Sequence, residues 1–99
     1  KAFEAAYGVA PDVYAVQGYD AMHVLDIGLT AVGGDVSKKD AMHAAMAKAK
    51  FASPRGPFEF SANRNPKQTF YLRELKGGKN HLLGVAAEGL ADAGKGCKA

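Results

Sequence analysis

The segment between Pro11 and Gly34 constrains the fold most, because its apolar residues recur at helical spacing without staying on one face. Asp12 supplies an N-cap and the glycine pair at the end supplies a stop, which predicts a helix of about twenty residues. One apolar stripe contains Ala15, Tyr19, Met22, Leu25, Leu29 and Val32. Three further apolar residues lie off that stripe, namely Val16, Val24 and Ile27. We therefore expect this helix to be buried between other elements.

Two shorter helical segments flank the long one. Phe3–Tyr7 has the character of the last turn of a helix, and Gly8 ends it because glycine tolerates the left-handed cap conformation. Ser37 and Asp40 resemble a capping box that opens a second main helix running to about residue 50. Its apolar face, which we interpret as a packing surface, consists of Ala41, Met42, Ala45, Met46 and Ala49.

After residue 50 the period changes from helix to strand. Prolines 54 and 57 and the glycine at 56 exclude a helix, and Phe58–Phe60 alternates as a strand does. A second strand, Gln68–Lys76, has apolar residues on both faces and so needs cover on two sides. Gly77–Gly78 predicts a hairpin into a third strand, His81–Val85, and we expect a short helix or coil from residue 86 onward. The chain thus has two main helices and about three strands, an α/β composition.

The length and charge of the chain limit the functions that it can have. The chain has 99 residues, 47% of them apolar, and a chain this short buries only about 60 to 65% of its unfolded surface. Two long helices need more sheet than three strands offer, which predicts that the chain is part of a larger protein. The net charge of +3 comes from scattered side chains, which argues against nucleic-acid binding. No stretch is apolar for long enough to cross a membrane.

The sequence contains no recognisable pattern of catalytic residues. The densest cluster of metal-ligand types is Asp20, His23 and Asp26, but the third residue drifts off the helix face that the first two share. We therefore interpret these three residues as polar side chains on the protein surface. Neither glycine pair has the lysine and spacing of a phosphate loop. The few serines have no histidine and acid for a triad. The sequence predicts no enzyme activity, no metal and no cofactor.

Three segments together resemble one protein family. Tyr14–Ala21, Ser53–Phe58 and Asn65–Glu74 are similar, in order and in spacing, to the branched-chain amino-acid (Leu/Ile/Val) binding proteins of ABC importers. The end of the chain, from Leu90, resembles the Leu-Ala-Asp-x-Gly-x-Gly-Cys ending of some members. The resemblance covers nearly the whole chain.

The resemblance implies the C-terminal portion of a periplasmic solute-binding protein with two Rossmann-like lobes, the type I fold. Residues 1–50 would then supply helices to the first lobe, and residues 51–99 would supply strands and a tail that cross between the lobes. The expected ligand is a branched-chain or other hydrophobic amino acid or an aromatic carboxylate. The expected partners are the membrane permease and the remaining portion of the same protein, or copies of the fragment, and the expected location is the periplasm, after export.

The resemblance also suggests roles for single residues. Tyr14, Gln17 and Tyr19 lie near the start of a helix that would approach the ligand cleft, although packing between helices and capping explain them too. Arg55 would anchor the strand region through a carboxylate. Cys97 is the only cysteine, and is either a free thiol or half of a disulfide to a region outside this chain.

Two other functions stay open at this point. The chain could be a self-contained α+β interaction module, or a fragment of an α/β enzyme with the same layers.

Overall fold

The computed structural model describes residues 1–96, and the chain folds as two compact units, the first ending at Ala49 and the second beginning at Lys50. The first unit is helical and the second is a sheet. In chain order, the helices are α1 (Ala2–Tyr7), α2 (Val13–Ala31) and α3 (Lys39–Ala47), and the strands are β1 (Lys50–Ser53), β2 (Gly56–Phe60), β3 (Pro66–Lys76) and β4 (Lys79–Leu90). Within residues 1–96 no helix combines the length and the apolar character that a membrane span requires.

The long helix begins and ends where its sequence signals lie. The side chain of Asp12 accepts a hydrogen bond from the backbone N–H of Ala15 at 2.8 Å, as an N-cap residue does. After the helix, Gly33 and Gly34 adopt φ values of 61° and 81°, the left-handed conformation that closes the last turn. The predicted length and both predicted ends of α2 are confirmed.

Only one face of α2 is buried in the helical unit, and it shares only Val32 with the predicted stripe. Buried positions recur every four residues, at Asp20, Val24 and Gly28, and continue to Val32 at the C-cap. Tyr19 and Met22, which we expected in the stripe, are 51% and 63% exposed. The helix is apolar on two faces, and the position of α3 decides which face is covered.

Glycine 28 sets how closely the two main helices approach. A β-carbon at Gly28 would lie 2.6 Å from Cγ of Met46 and 3.1 Å from Cγ of Met42, both on α3. Since real β-carbons almost never come that close to another carbon, any side chain at this position would force the methionine side chains of α3 to move. The methionine face of α3 is therefore a packing surface, as predicted.

The predicted helix α3 is present, but it is slightly shorter than expected and the capping box predicted at its start is wrong. The helix begins at Lys39, its N-cap Lys38 makes no side-chain cap hydrogen bond, and the helix ends at Ala47. The hydroxyl of Ser37 donates instead to Asp35 at 2.6 Å, two residues earlier. A serine can bond backward to a turn as readily as forward to a helix, so the capping box does not form.

The sheet is a four-stranded antiparallel meander with the order β1-β2-β3-β4. Residues 1–96 contain one strand more than the three we predicted, because residues 50 to 53 leave the helical pattern and pair with β2, with Phe51 opposite Phe58. On that face the rings of Phe51 and Phe58 stack with centroids 4.6 Å apart, and Phe60 meets Phe58 edge-on at 5.0 Å. These aromatic contacts hold the β1–β2 hairpin.

Strand β4 runs through Leu90, so the short helix or coil predicted from residue 86 onward is wrong. Residues 86 to 90 pair with the first half of β3, where Gln68 lies opposite Leu90 and Phe70 opposite Ala87. Three register shifts between Gln68 and Arg73 interrupt this ladder. Such bulges bend and coil a ribbon, and they hide the simple alternation by which a strand is recognised in sequence.

The described residues contain both helices and strands, as the predicted α/β class requires, and the sheet is antiparallel throughout. The assignment of residues 1–50 and 51–99 to particular lobes stays a prediction.

Candidate functional site

Tyr14 and Gln17 form an exposed pair on the first turns of α2. They are three residues apart, so their side chains are neighbours on one face of the helix. The side chain of Tyr14 is 75% exposed, and Gln17 is exposed as well. The pair presents an aromatic ring and an amide on the same side of the helix.

Tyr19, the third predicted ligand residue, lies elsewhere on α2. At about 100° per residue, five residues place it about 140° around the helix axis from Tyr14. Its ring meets the imidazole of His23 edge-on, with centroids 4.6 Å apart. The structure thus places all three predicted residues on exposed surface of α2 and brings two of them together, with Tyr19 apart.

Arg55 lies in the turn between β1 and β2 and joins that turn to β3. Its guanidinium donates to the side-chain carbonyl of Gln68, and its backbone carbonyl accepts a 2.9 Å hydrogen bond from the hydroxyl of Tyr71. The anchor that we predicted for Arg55 therefore has an amide oxygen as its partner, where we expected a carboxylate. Sequence reasoning missed Gln68 and Tyr71, which are 13 and 16 residues away and carry no local signal.

Glu59 lies between two lysines on the sheet. Its carboxylate is 2.6 Å from Nζ of Lys67 on β3 and 3.0 Å from Nζ of Lys50 on β1. The hydrogen bond from Lys67, and then that from Lys50, hold the pKa of Glu59 below its ordinary value. One carboxylate thus links three strands.

Asp92 joins the segment after β4 to the loop between β2 and β3. One of its carboxylate oxygens accepts from the side chain of Asn65 at 2.6 Å, and the other from the backbone N–H of Gly94 at 2.9 Å. The side chain of Asn63 donates to the backbone carbonyl of Asp92 at 3.4 Å. The bonds from Gly94 and Asn65 hold the pKa of Asp92 below its usual range.

The structure places the other polar candidates as follows. Asp20 is buried, which corrects its interpretation as a surface residue, whereas Asp26 is exposed. Among residues 1–96, no group of three His, Cys, Asp or Glu side chains is arranged to hold a metal ion. Cys97 lies outside the described residues, so both alternatives for it, a free thiol or half of a disulfide, stay predictions.

This chain is similar to known binding proteins over most of its length. A family model described as periplasmic binding protein matches residues 1–80. The crystal structure of an ABC-transporter solute-binding protein from R. palustris in complex with benzoate is 63% identical in sequence and superimposes with a TM-score of 0.92. That match covers 98% of this chain and 27% of the R. palustris chain. None of the curated proteins matches this chain.

The chain therefore spans about a quarter of the length of the R. palustris protein that it matches. The family model covers well over half of the chain, and the resemblance drawn from its three sequence segments is confirmed. The proteins in both comparisons are binding proteins for solutes. The chain belongs to the periplasmic binding protein family.

Proposed function

We propose that this chain is part of the solute-binding component of an ABC importer that captures an aromatic monocarboxylate in the periplasm. The observation that carries the proposal is the 63% identity, over 98% of this chain, to a solute-binding protein crystallised with benzoate. In such a component, two lobes sample open and closed states and the ligand favours closure through its contacts with the closed state. The transporter's permease then receives the closed form, and the chain catalyses no reaction.

The residues of this chain that suit such a ligand are Tyr14 and Gln17. A benzoate-like molecule has a flat apolar ring, which prefers an aromatic wall, and a polar end, which prefers hydrogen-bond donors. The exposed ring of Tyr14 supplies such a wall. The amide of Gln17, on the same helix face, supplies a donor.

Tyr19 is a weaker candidate for the same ligand. Its ring already contacts His23, and its direction differs from that of Tyr14 by about 140°. A ring-sized ligand that lies against Tyr14 would not reach it. We assign Tyr19 instead to packing against another part of the protein.

The remaining portion of the same protein is the proposed partner of the β3–β4 ribbon. The ribbon exposes Leu72, Leu75, Leu82 and Leu83 to solvent, with exposed fractions from 56% to 73%. Apolar surface of this extent is normally covered in a folded protein. The length of the R. palustris relative supports cover by the same polypeptide in preference to self-association of this piece.

Thermal unfolding and calorimetric titration of the intact protein test the ligand class. The panel is benzoate, benzamide, cyclohexanecarboxylate, leucine, isoleucine and valine. We expect benzoate to stabilise the protein by about 2.7 kcal/mol at one hundred times its dissociation constant. Benzamide lacks the charge and cyclohexanecarboxylate lacks the aromatic ring, so both should bind at least about tenfold more weakly, a difference of about 1.4 kcal/mol.

Two matched tyrosine variants test the site. Tyr14→Ala should weaken benzoate binding roughly tenfold, since an aromatic contact contributes about 0.5–1.5 kcal/mol beyond its buried area. Tyr19→Ala should leave the affinity unchanged. Preferential binding of leucine, isoleucine or valine would overturn the aromatic ligand class, whereas failure to bind any solute in the panel would count against the binding function itself.

A further inference from the structure

The β2–β3 loop and the segment after β4 meet at Asp92, at the open end of the β3–β4 ribbon. The ribbon closes at its other end in the tight Gly77–Gly78 turn, where both glycines have positive φ. At the open end, the last paired residues are Gln68 and Leu90. Pro66, two residues earlier, has no N–H to donate, so the backbone ladder cannot simply continue past this point.

Side chains join the two segments beyond the end of that ladder. Asn65 donates to the carboxylate of Asp92 at 2.6 Å, and Asn63 donates to its backbone carbonyl at 3.4 Å. The backbone N–H of Gly94 donates a hydrogen bond to the same carboxylate at 2.9 Å. We call Asp92 together with Asn63, Asn65 and Gly94 the Asp92 latch. Its two asparagine bonds join residues that are 27 and 29 positions apart in the sequence.

The loop that the latch holds is strained. Arg64 has a φ of 63°, in the left-handed region, and it is the one non-glycine residue with positive φ among those described. A long side chain gains nothing locally from this conformation. It persists only where surrounding bonds fix it. Within the loop, the Ser61 N–H donates to Asn65 O at 2.8 Å and the Arg64 N–H donates to Ser61 O at 3.0 Å. The Ser61 hydroxyl also donates to Asn65 O at 2.8 Å.

We propose that the Asp92 latch is a conformational device that keeps the β2–β3 loop in its strained form, and that its release frees residues 61–65 and 91–94 together while the sheet stays paired. Bonds from Gly94 and Asn65 favour the ionised form of Asp92 and lower its pKa, so the latch has its full set of acceptors at neutral pH. The loop bonds of Ser61 and Arg64 do not involve Asp92 directly. Faster exchange of these two amides after removal of Asp92 would therefore report that the latch stabilises the loop beyond its own bonds.

Amide hydrogen exchange on the intact protein, followed residue by residue, tests the proposal. In Asp92→Ala, the amides of Ser61 and Arg64 should exchange at least tenfold faster than in the parent protein. Amides in the regular part of the ribbon, between Glu74 and His81, should change less than twofold. Asp26→Ala removes an exposed carboxylate from α2 and should leave both regions unchanged.

A second variant separates the latch from simple loss of stability. Arg64→Gly removes the backbone strain without touching Asp92. In that background Asp92→Ala should accelerate exchange of the Ser61 amide by less than threefold, because the relaxed loop no longer needs the latch. Unchanged protection of Ser61 and Arg64 in Asp92→Ala, equal acceleration across the whole ribbon, or a full tenfold effect that persists in Arg64→Gly would each overturn the proposal.

Discussion

A β-carbon on Gly28 would lie 2.6 Å from Cγ of Met46. At this crossing, a methyl group on residue 28 would therefore overlap the methionine side chains of α3 unless they move. The contact fixes which face of α2 is buried, because α3 can approach closely along the row through Gly28. Neighbouring apolar residues off this row, such as Met22, stay exposed.

Gly28→Ala should destabilise the intact protein by about 1–3 kcal/mol, because the added methyl group overpacks the helix crossing. Urea unfolding followed by circular dichroism measures the change. Gly18→Ala is the matched control, since nothing lies within 4 Å of a β-carbon at this position in the same helix. There the higher helix propensity of alanine should stabilise the protein by up to about 1 kcal/mol.

A second change on α3 tests the cause of the Gly28 effect. Combined with Met46→Ala, Gly28→Ala should lose part of its penalty, because the truncated side chain makes room for the methyl group. Strictly additive effects of the two substitutions would contradict direct contact between these residues.

Tyr71→Phe should destabilise the protein by about 1 kcal/mol, because the part-buried carbonyl of Arg55 loses the donor at 2.9 Å. Chemical denaturation of the intact protein measures this effect. Tyr7→Phe serves as the control, since the side chain of Tyr7 is 69% exposed and loss of its hydroxyl should leave stability unchanged. Equal effects of the two substitutions would argue against the Tyr71–Arg55 bond.

The ion pairs of Glu59 should make the free energy of unfolding depend on pH in the acidic range. Lys67 and then Lys50 lower the pKa of Glu59 in the folded protein below the ordinary value of 4.5. The folded state therefore gains stability from this group above about pH 4.5, and the gain is lost as the pH falls through the lowered folded pKa.

Glu59→Gln isolates this contribution. The variant should unfold at a lower temperature than the parent protein at pH 7, and the difference should shrink between pH 4.5 and pH 3. Glu88→Gln removes an exposed carboxylate on β4 and should show no such convergence. A difference between the Glu59 variant and the parent that is constant across this pH range would contradict the ion-pair explanation.

Local chemistry predicted the elements whose signals lie within a few residues of each other. Asp12 and the glycine pair at 33 and 34 bound the long helix where expected. Gly77–Gly78 makes the tight turn of the β3–β4 hairpin. The capping box predicted from Ser37 and Asp40 was wrong, because the hydroxyl of Ser37 donates to Asp35, which is equally near in the sequence. For the proposed ligand site, sequence supplied Tyr14 and Gln17, and helix geometry separated them from Tyr19.

The sequence by itself determined where the chain can turn, which segments are helical or extended, and which family it belongs to, because caps, glycine turns and motif spacing act over short distances. Tertiary structure alone decided that β4 continues to Leu90, that Asp20 is buried, and that Arg55 meets Gln68 and Tyr71. Strand β4 and Arg55 depend on partners far along the chain, and the burial of Asp20 depends on how α2 packs. Only folding makes such a residue a neighbour, so no local pattern of apolar and polar residues can encode the contact.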